Sequence, residues 1–189
     1  MLDRKLTFAC KIWLLSFAFL SGCTTVQLVS DYDEKTDKDA ATLHKKFETY
    51  FASLQTVAND KKMFKNQQSF YEEVLVDLNS LMVRASAIYK NELTEEQLEI
   101  IEENLAYLVL LHKNCVQGPL TKEQKDRVKE KGVDISMDCR IDYGATSNLP
   151  NRGDMKLTVF LVPPIQAMFN QKFGAVMALE LAKKRGEAD

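Results

Sequence analysis

Apolar residues recur at spacings of three and four along most of this chain, a period that admits few folds. Leu43, Phe47, Tyr50, Phe51, Leu54 and Val57 form one stripe. Phe70, Tyr71, Val74, Leu75, Leu78, Leu81, Met82, Ala85 and Ile88 form a second. Leu98, Ile101, Leu105, Leu108, Val109 and His112, with Leu111 beside them, form a third. Ile165, Met168, Phe169, Phe173, Val176, Leu179 and Leu181 form the last. Such spacing puts side chains on one face of a helix. The breaks at Asn59-Asp60-Lys61-Lys62 and Lys90-Asn91-Glu92 are short, so the first three helices should be antiparallel neighbours. The expected fold is all-α: an up-and-down four-helix bundle over residues 37–189, with a short extra helix and a long insertion between the third and fourth helices.

Local signals mark the ends of these helices. Thr36 or Asp37 suits the cap of the first, with acids in the opening turn. Thr94 and Gln97 have capping-box spacing, and Leu93 with Leu98 has that of a hydrophobic staple. Gly118-Pro119 should close the third helix. Thr121 and Gln124 repeat the capping-box spacing before a short polar helix that Gly132 should stop. Residues 133–156 contain Gly144, Asn148, Pro150, Asn151 and Gly153 with few periodic apolar positions, and read as a loop insertion. Leu157 to Val162 alone could be a strand, but Pro163-Pro164 argues for a helix start. Lys183, Lys184 and Arg185 sit where a helix C-terminus favours cations, before Gly186.

Ahead of the bundle lies a different kind of segment. Arg4, Lys5 and Lys11 precede IWLLSFAFL, nine residues from Ile12 to Leu20 broken only by Ser16. A spanning helix needs about 20 apolar residues, so this run is too short to cross a membrane. A basic start, a short apolar run and small residues at its exit have the anatomy of a secretory signal. Leu20-Ser21-Gly22-Cys23 resembles the lipobox of bacterial lipoproteins at every position. The resemblance implies that residues 1–22 are a signal peptide and that the Cys23 thiol carries the lipid. It also implies cleavage before Cys23 and acylation of the new amino terminus. Several acyl chains anchor stably where one binds reversibly. Thr24 follows Cys23 where Asp would retain the protein at the inner membrane, so the resemblance points to the periplasmic face of the outer membrane. Residues 23–36 read as a tether. Their reach is at most about 40 Å.

Removing Arg4, Lys5, Lys11 and Asp3 from the full composition leaves 22 bases against 26 acids. A mildly acidic exported domain offers no field for nucleic acid. Of four cysteines, Cys10 leaves with the leader and Cys23 is consumed by lipid. Cys115 and Cys139 remain, an even pair in an oxidising compartment, and a disulfide between them is expected. It would close a 25-residue loop, worth about 3.5 kcal/mol in the chain-entropy model. Two unconnected thiols are the alternative.

Enzyme and cofactor chemistry finds little purchase. With the first and third helices parallel, His44 and His112 lie roughly 16 Å apart along the axis and cannot share a metal. Ala41 and Val109 stand where a di-iron bundle needs Glu. The last helix lacks the His that a Met–His haem site would use, and Met82, Met168 and Met177 read as core filler. Glu95, Glu96, Glu99, Glu102 and Glu103, like Glu72, Glu73 and Asp77, read as solvated helix faces. No catalytic residue, metal or cofactor is expected. RASAIYKNELTEEQL (Arg84 to Leu98) and LELAKKR (Leu179 to Arg185) resemble stretches of small, uncharacterised lipoproteins of Gram-negative bacteria. That resemblance supports the bundle and the envelope but implies no activity. The expected function is a lipid-anchored, non-enzymatic interaction or accessory role toward an envelope protein. The alternative is small-molecule or lipid binding in a pocket between helices.

Overall fold

Helix α1, Glu34–Thr56, buries Thr36, Ala40, Leu43, Phe47, Tyr50, Phe51 and Leu54, the three-and-four pattern carried along its length. A computed structural model describes residues 29–113, 115–116, 118–136, 157 and 160–186. Two 3-10 turns, Asn59–Lys62 and Phe64–Asn66, lead into α2, Gln68–Ser86. A tight turn leads to α3, Glu92–His112. The short α4, Lys122–Lys131, follows, and α5, Val162–Gly186, completes the fold. Among the described residues every regular element is helical.

The four long helices form a ring. α1 packs on α2, α2 on α3, α3 on α5, and α5 returns onto α1 in the most extensive contact of all; α4 lies outside against α3. Cross-helix bonds give the directions. Glu180, near the end of α5, meets Thr94 at the start of α3, and Gln166, near its start, meets Glu48 in the second half of α1. α5 therefore runs antiparallel to both.

Aromatic rings fill the α1–α5 seam. Phe47 stacks on Phe169 with centroids 4.4 Å apart, and lies 5.4 Å from Phe173 and, edge-on, 5.4 Å from Phe70 of α2. Buried rings contribute large apolar areas plus edge and stacking terms, so this cluster is the centre of the core. Met82, Met168 and Met177 pack half-buried against it.

Several expected ends move. α1 starts at Glu34, because Asp33 and not Thr36 or Asp37 is its cap: the Asp33 carboxylate accepts from Thr36 N at 2.9 Å. Thr94 and Gln97 form no capping box, since α3 starts at Glu92 after Asn91 and the Thr94 hydroxyl donates to Glu180 instead. Leu93 is accordingly exposed and no staple. The expected Thr121–Gln124 box is present with both of its bonds, 2.8 and 3.3 Å, and Gly132 at φ +70° stops α4. α3 ends at His112, short of Gly118-Pro119. Pro163 and Pro164 fall in the first turn of α5, where a missing N–H costs nothing. The core stripe of α5 does not pass through Leu179 and Leu181. After Val176 it continues through Glu180 and Lys183, both buried.

Candidate functional site

Two buried polar assemblies occupy opposite poles of the bundle. The first lies where the chain joins the body. Ser30 N–H donates to Lys90 O at 2.8 Å, and the Ser30 hydroxyl donates to Asn91 Oδ1 at 3.0 Å. Asn91 Nδ2 donates to Ala85 O, bracing the α2–α3 turn in which Lys90 adopts φ +61°. Lys183 Nζ donates to Asn91 Oδ1 at 2.5 Å, Thr94 Oγ1 at 2.9 Å and Glu180 Oε1 at 2.6 Å, which uses all three ammonium donors. Glu180 Oε2 accepts the Asp33 N–H at 3.4 Å. Arg84 grips Asp33 from α2 and holds its carboxyl well below the usual carboxylate range, the backbone N–H and hydroxyl of Thr36 adding to the effect. Tyr32 donates to Asp37, which, as the largest cause, pushes its phenol up to about 12. The segment expected to be tether up to residue 36 is thus bonded to the bundle from Ser30 onward.

The second assembly is a chain of hydrogen bonds at the far pole. Lys62 O can only accept, so His112 Nε2 carries the proton in their 2.8 Å bond. His112 Nδ1 must then accept from Tyr71 Oη at 2.7 Å, and Tyr71 Oη accepts from Tyr50 Oη at 3.1 Å. Phe64 packs edge-on to the imidazole at 5.5 Å. Burial pushes the His112 pKa down to about 4, the Lys62 carbonyl opposing it, and raises both tyrosines. A neutral histidine with both nitrogens bonded and two protonated phenols form a structural strut.

Around that pole the chain leaves α3 and later returns. Cys115 is 5 % exposed and its N–H donates to Leu110 O at 2.7 Å. Lys113 Nζ donates to Ile135 O, Val133 and Ile135 pack against the core, and Leu157 is 1 % exposed where the chain approaches α5. The expected disulfide partner Cys139, the expected lipidation site Cys23 and most of the 133–156 insertion lie outside the described residues.

The acidic face of α3 is less open than a solvated stripe. Glu96, Glu99, Glu102 and Glu103 line a groove of about 450 Å3 with Met82, Ile100 and Val128. Lys125 of α4 pairs with Glu103 at 2.6 Å, and burial followed by repulsion from Glu99 raises the Glu102 pKa. His44 meets Asn170 of α5 at 3.0 Å, on a different helix pair from His112. No group of three or more metal-ligating side chains comes together among the described residues, and none of their helices is long and apolar enough to cross a membrane.

Periodicity places His112 on the buried face but does not give its partners, and the preference of helix ends for cations accounts for Lys183 in the last turn of α5 but not for its burial. One signal points to that burial: Glu180 and Lys183 continue the α5 stripe at spacings of four and three beyond Val176. No protein-family model matches the chain, and it matches no curated protein and no solved structure.

Proposed function

We propose that the chain is a lipid-anchored, non-enzymatic interaction protein of the cell envelope, held at the periplasmic face of the outer membrane through Cys23. Its work is to hold a recognition surface for another envelope component at a set distance from the bilayer. One observation carries this reading: the tether joins at one pole while the α3–α5 connection leaves and returns at the other. α3 separates the poles by 21 residues, about 30 Å at 1.5 Å per residue. Bonds from Ser30 through Asp33 fix where the tether joins the bundle, which supports an orientation with the far pole away from the anchor. A pocket binder needs apolar space between the helices; the Phe47–Phe169–Phe173 cluster occupies the α1–α5 seam, and the groove beside α3 carries four glutamates.

The test has two parts. Cys23→Ser should abolish lipid labelling and release the protein from envelopes; a variant that still labels ends the anchoring reading. Photo-crosslinking residues at Ile135 and at Val83 should then be compared in intact cells by mass spectrometry. The reading expects one dominant protein partner from Ile135 and none in common from Val83. Equal patterns from both positions overturn it.

A further inference from the structure

We infer that the turn between α2 and α3 makes a second, non-covalent contact with the bilayer, seating Val29, Tyr89 and Leu93 at the boundary between headgroups and acyl chains. This rests on the anchored reading and adds an orientation to it.

Three observations carry it. Tyr89 is 79 % exposed, Leu93 50 % and Val29 41 %, so three of the large apolar side chains left at the described surface belong to the α2–α3 turn, the first turn of α3 and the segment bonded to that turn. Scattered single exposures are ordinary, but these are assembled. The Ser30 N–H bond to Lys90 O sets Val29 beside the turn, and the left-handed Lys90 forms the tip between Tyr89 and Asn91. The Lys90 ammonium lies 5.3 Å from the Tyr89 ring centroid. An amphipathic ring with a cation beside it suits the membrane interface, where tyrosine is enriched.

The second observation is reach. Five residues, and so six residue-to-residue steps, separate Cys23 from Val29, at most about 20 Å of chain, so a lipidated Cys23 keeps this turn within that distance of the bilayer. The third is charge. Asp31 and Glu92 flank the turn and, with Glu34, balance Lys90 and the Lys184 and Arg185 that end α5 at the same pole, so the patch has no net attraction for anionic lipid. The contact is interfacial and indifferent to headgroup charge.

Trp13, the one tryptophan of the sequence, lies in the leader, which permits a clean optical test. In a Trp13→Phe background, Tyr89→Trp and, at the far pole, Phe160→Trp (90 % exposed) each replace an exposed ring. The lipidated products, isolated from cells expressing the full chain, are reconstituted into phosphatidylcholine vesicles carrying lipids brominated at shallow acyl positions. The indole of the Tyr89→Trp variant should be quenched at least twofold more than that of the Phe160→Trp variant, equally with and without added phosphatidylglycerol. Vesicle-bound protein with equal quenching in the two variants overturns the contact and leaves the anchor standing. Quenching of the Tyr89→Trp variant that requires phosphatidylglycerol overturns the interfacial contact. A cell-made product that proves to carry no acyl groups overturns the anchor, and the contact with it.

Discussion

Arg84 donates from Nε and Nη2 to the two carboxylate oxygens of Asp33, each at 2.6 Å, tying the last turn of α2 to the cap of α1. One carboxylate thus caps a helix and closes a fork with a guanidinium 51 residues away. Asp33→Ala removes both roles and should cost about 1–3 kcal/mol at pH 7 by urea unfolding. Asp33→Asn keeps the cap and should cost less. The Asp33 pKa is depressed, so its contribution is whole above the unfolded value of about 4 and is lost as pH falls toward the folded value. The gap between wild type and Asp33→Asn should therefore stay constant from pH 8 to pH 5 and close below about pH 4.

Lys183 and Glu180 make a buried ion pair inside a ring of polar partners, and such pairs are costly to break singly. Lys183→Met leaves an uncompensated carboxylate and should destabilise by about 3–5 kcal/mol. The double variant Glu180→Leu/Lys183→Met should be more stable than either single one. Asn91 keeps its Ser30 bond in the double variant, and Thr94 can turn its hydroxyl to its own helix. A double variant no better than the singles would show that the pair holds the tether pole together in a way apolar packing cannot replace.

His112 predicts a different pH dependence. Its folded pKa of about 4 lies below the unfolded value of about 6.5, so the unfolded chain binds more protons between them. Stability is therefore full above about pH 6.5 and declines as pH falls toward 4, by about 3 kcal/mol in total. Denaturant melts at pH 7, 5.5 and 4 measure this. The double variant Tyr71→Phe/His112→Phe should flatten the decline while lowering stability at pH 7, since Tyr50 and Lys62 O lose their partners. An unchanged slope would assign the acid sensitivity to other groups.

The helices are legible in the sequence because periodicity is a local property: the stripes through Phe47, Leu78 and Leu105 follow from spacing alone and are buried as that spacing requires. Thr121 and Gln124 are legible for the same reason, since both partners of a capping box lie within three residues. Thr94 carries the same local signal and misleads, because its hydroxyl reaches Glu180, 86 residues away, and a long-range partner outcompetes the local one. Asp33 caps through an equally local bond, from Thr36 N, but Thr36 and Asp37 offer the same cap chemistry within four residues, and spacing does not choose among them. Both polar assemblies join residues from several elements, and no spacing rule encodes such a meeting.

The far pole yields the prediction that most directly separates structure from recognition. Val133 and Ile135 pack against the core, the Ile135 carbonyl takes the Lys113 ammonium, and Leu157 is buried, so the edges of the α3–α5 connection belong to the fold. Joining Gly132 directly to Leu157 removes the Val133 and Ile135 contacts together with Cys139 and should cost several kcal/mol, well beyond an ordinary surface change. Replacing residues 140–156 with a Gly/Ser linker of equal length keeps Cys139 and the packed edge, and should leave urea stability within about 1 kcal/mol of wild type. If Cys115 and Cys139 pair as expected, a thiol assay on unreduced protein should find neither reactive, and Cys139→Ser should lower stability by up to about 3.5 kcal/mol. The linker variant should nonetheless lose the crosslinks formed from Ile135, because the contact surface has gone while its support remains. Crosslinks that survive the replacement would move recognition onto the helices themselves, where Glu96, Glu99, Glu102 and Glu103 of α3 line a groove.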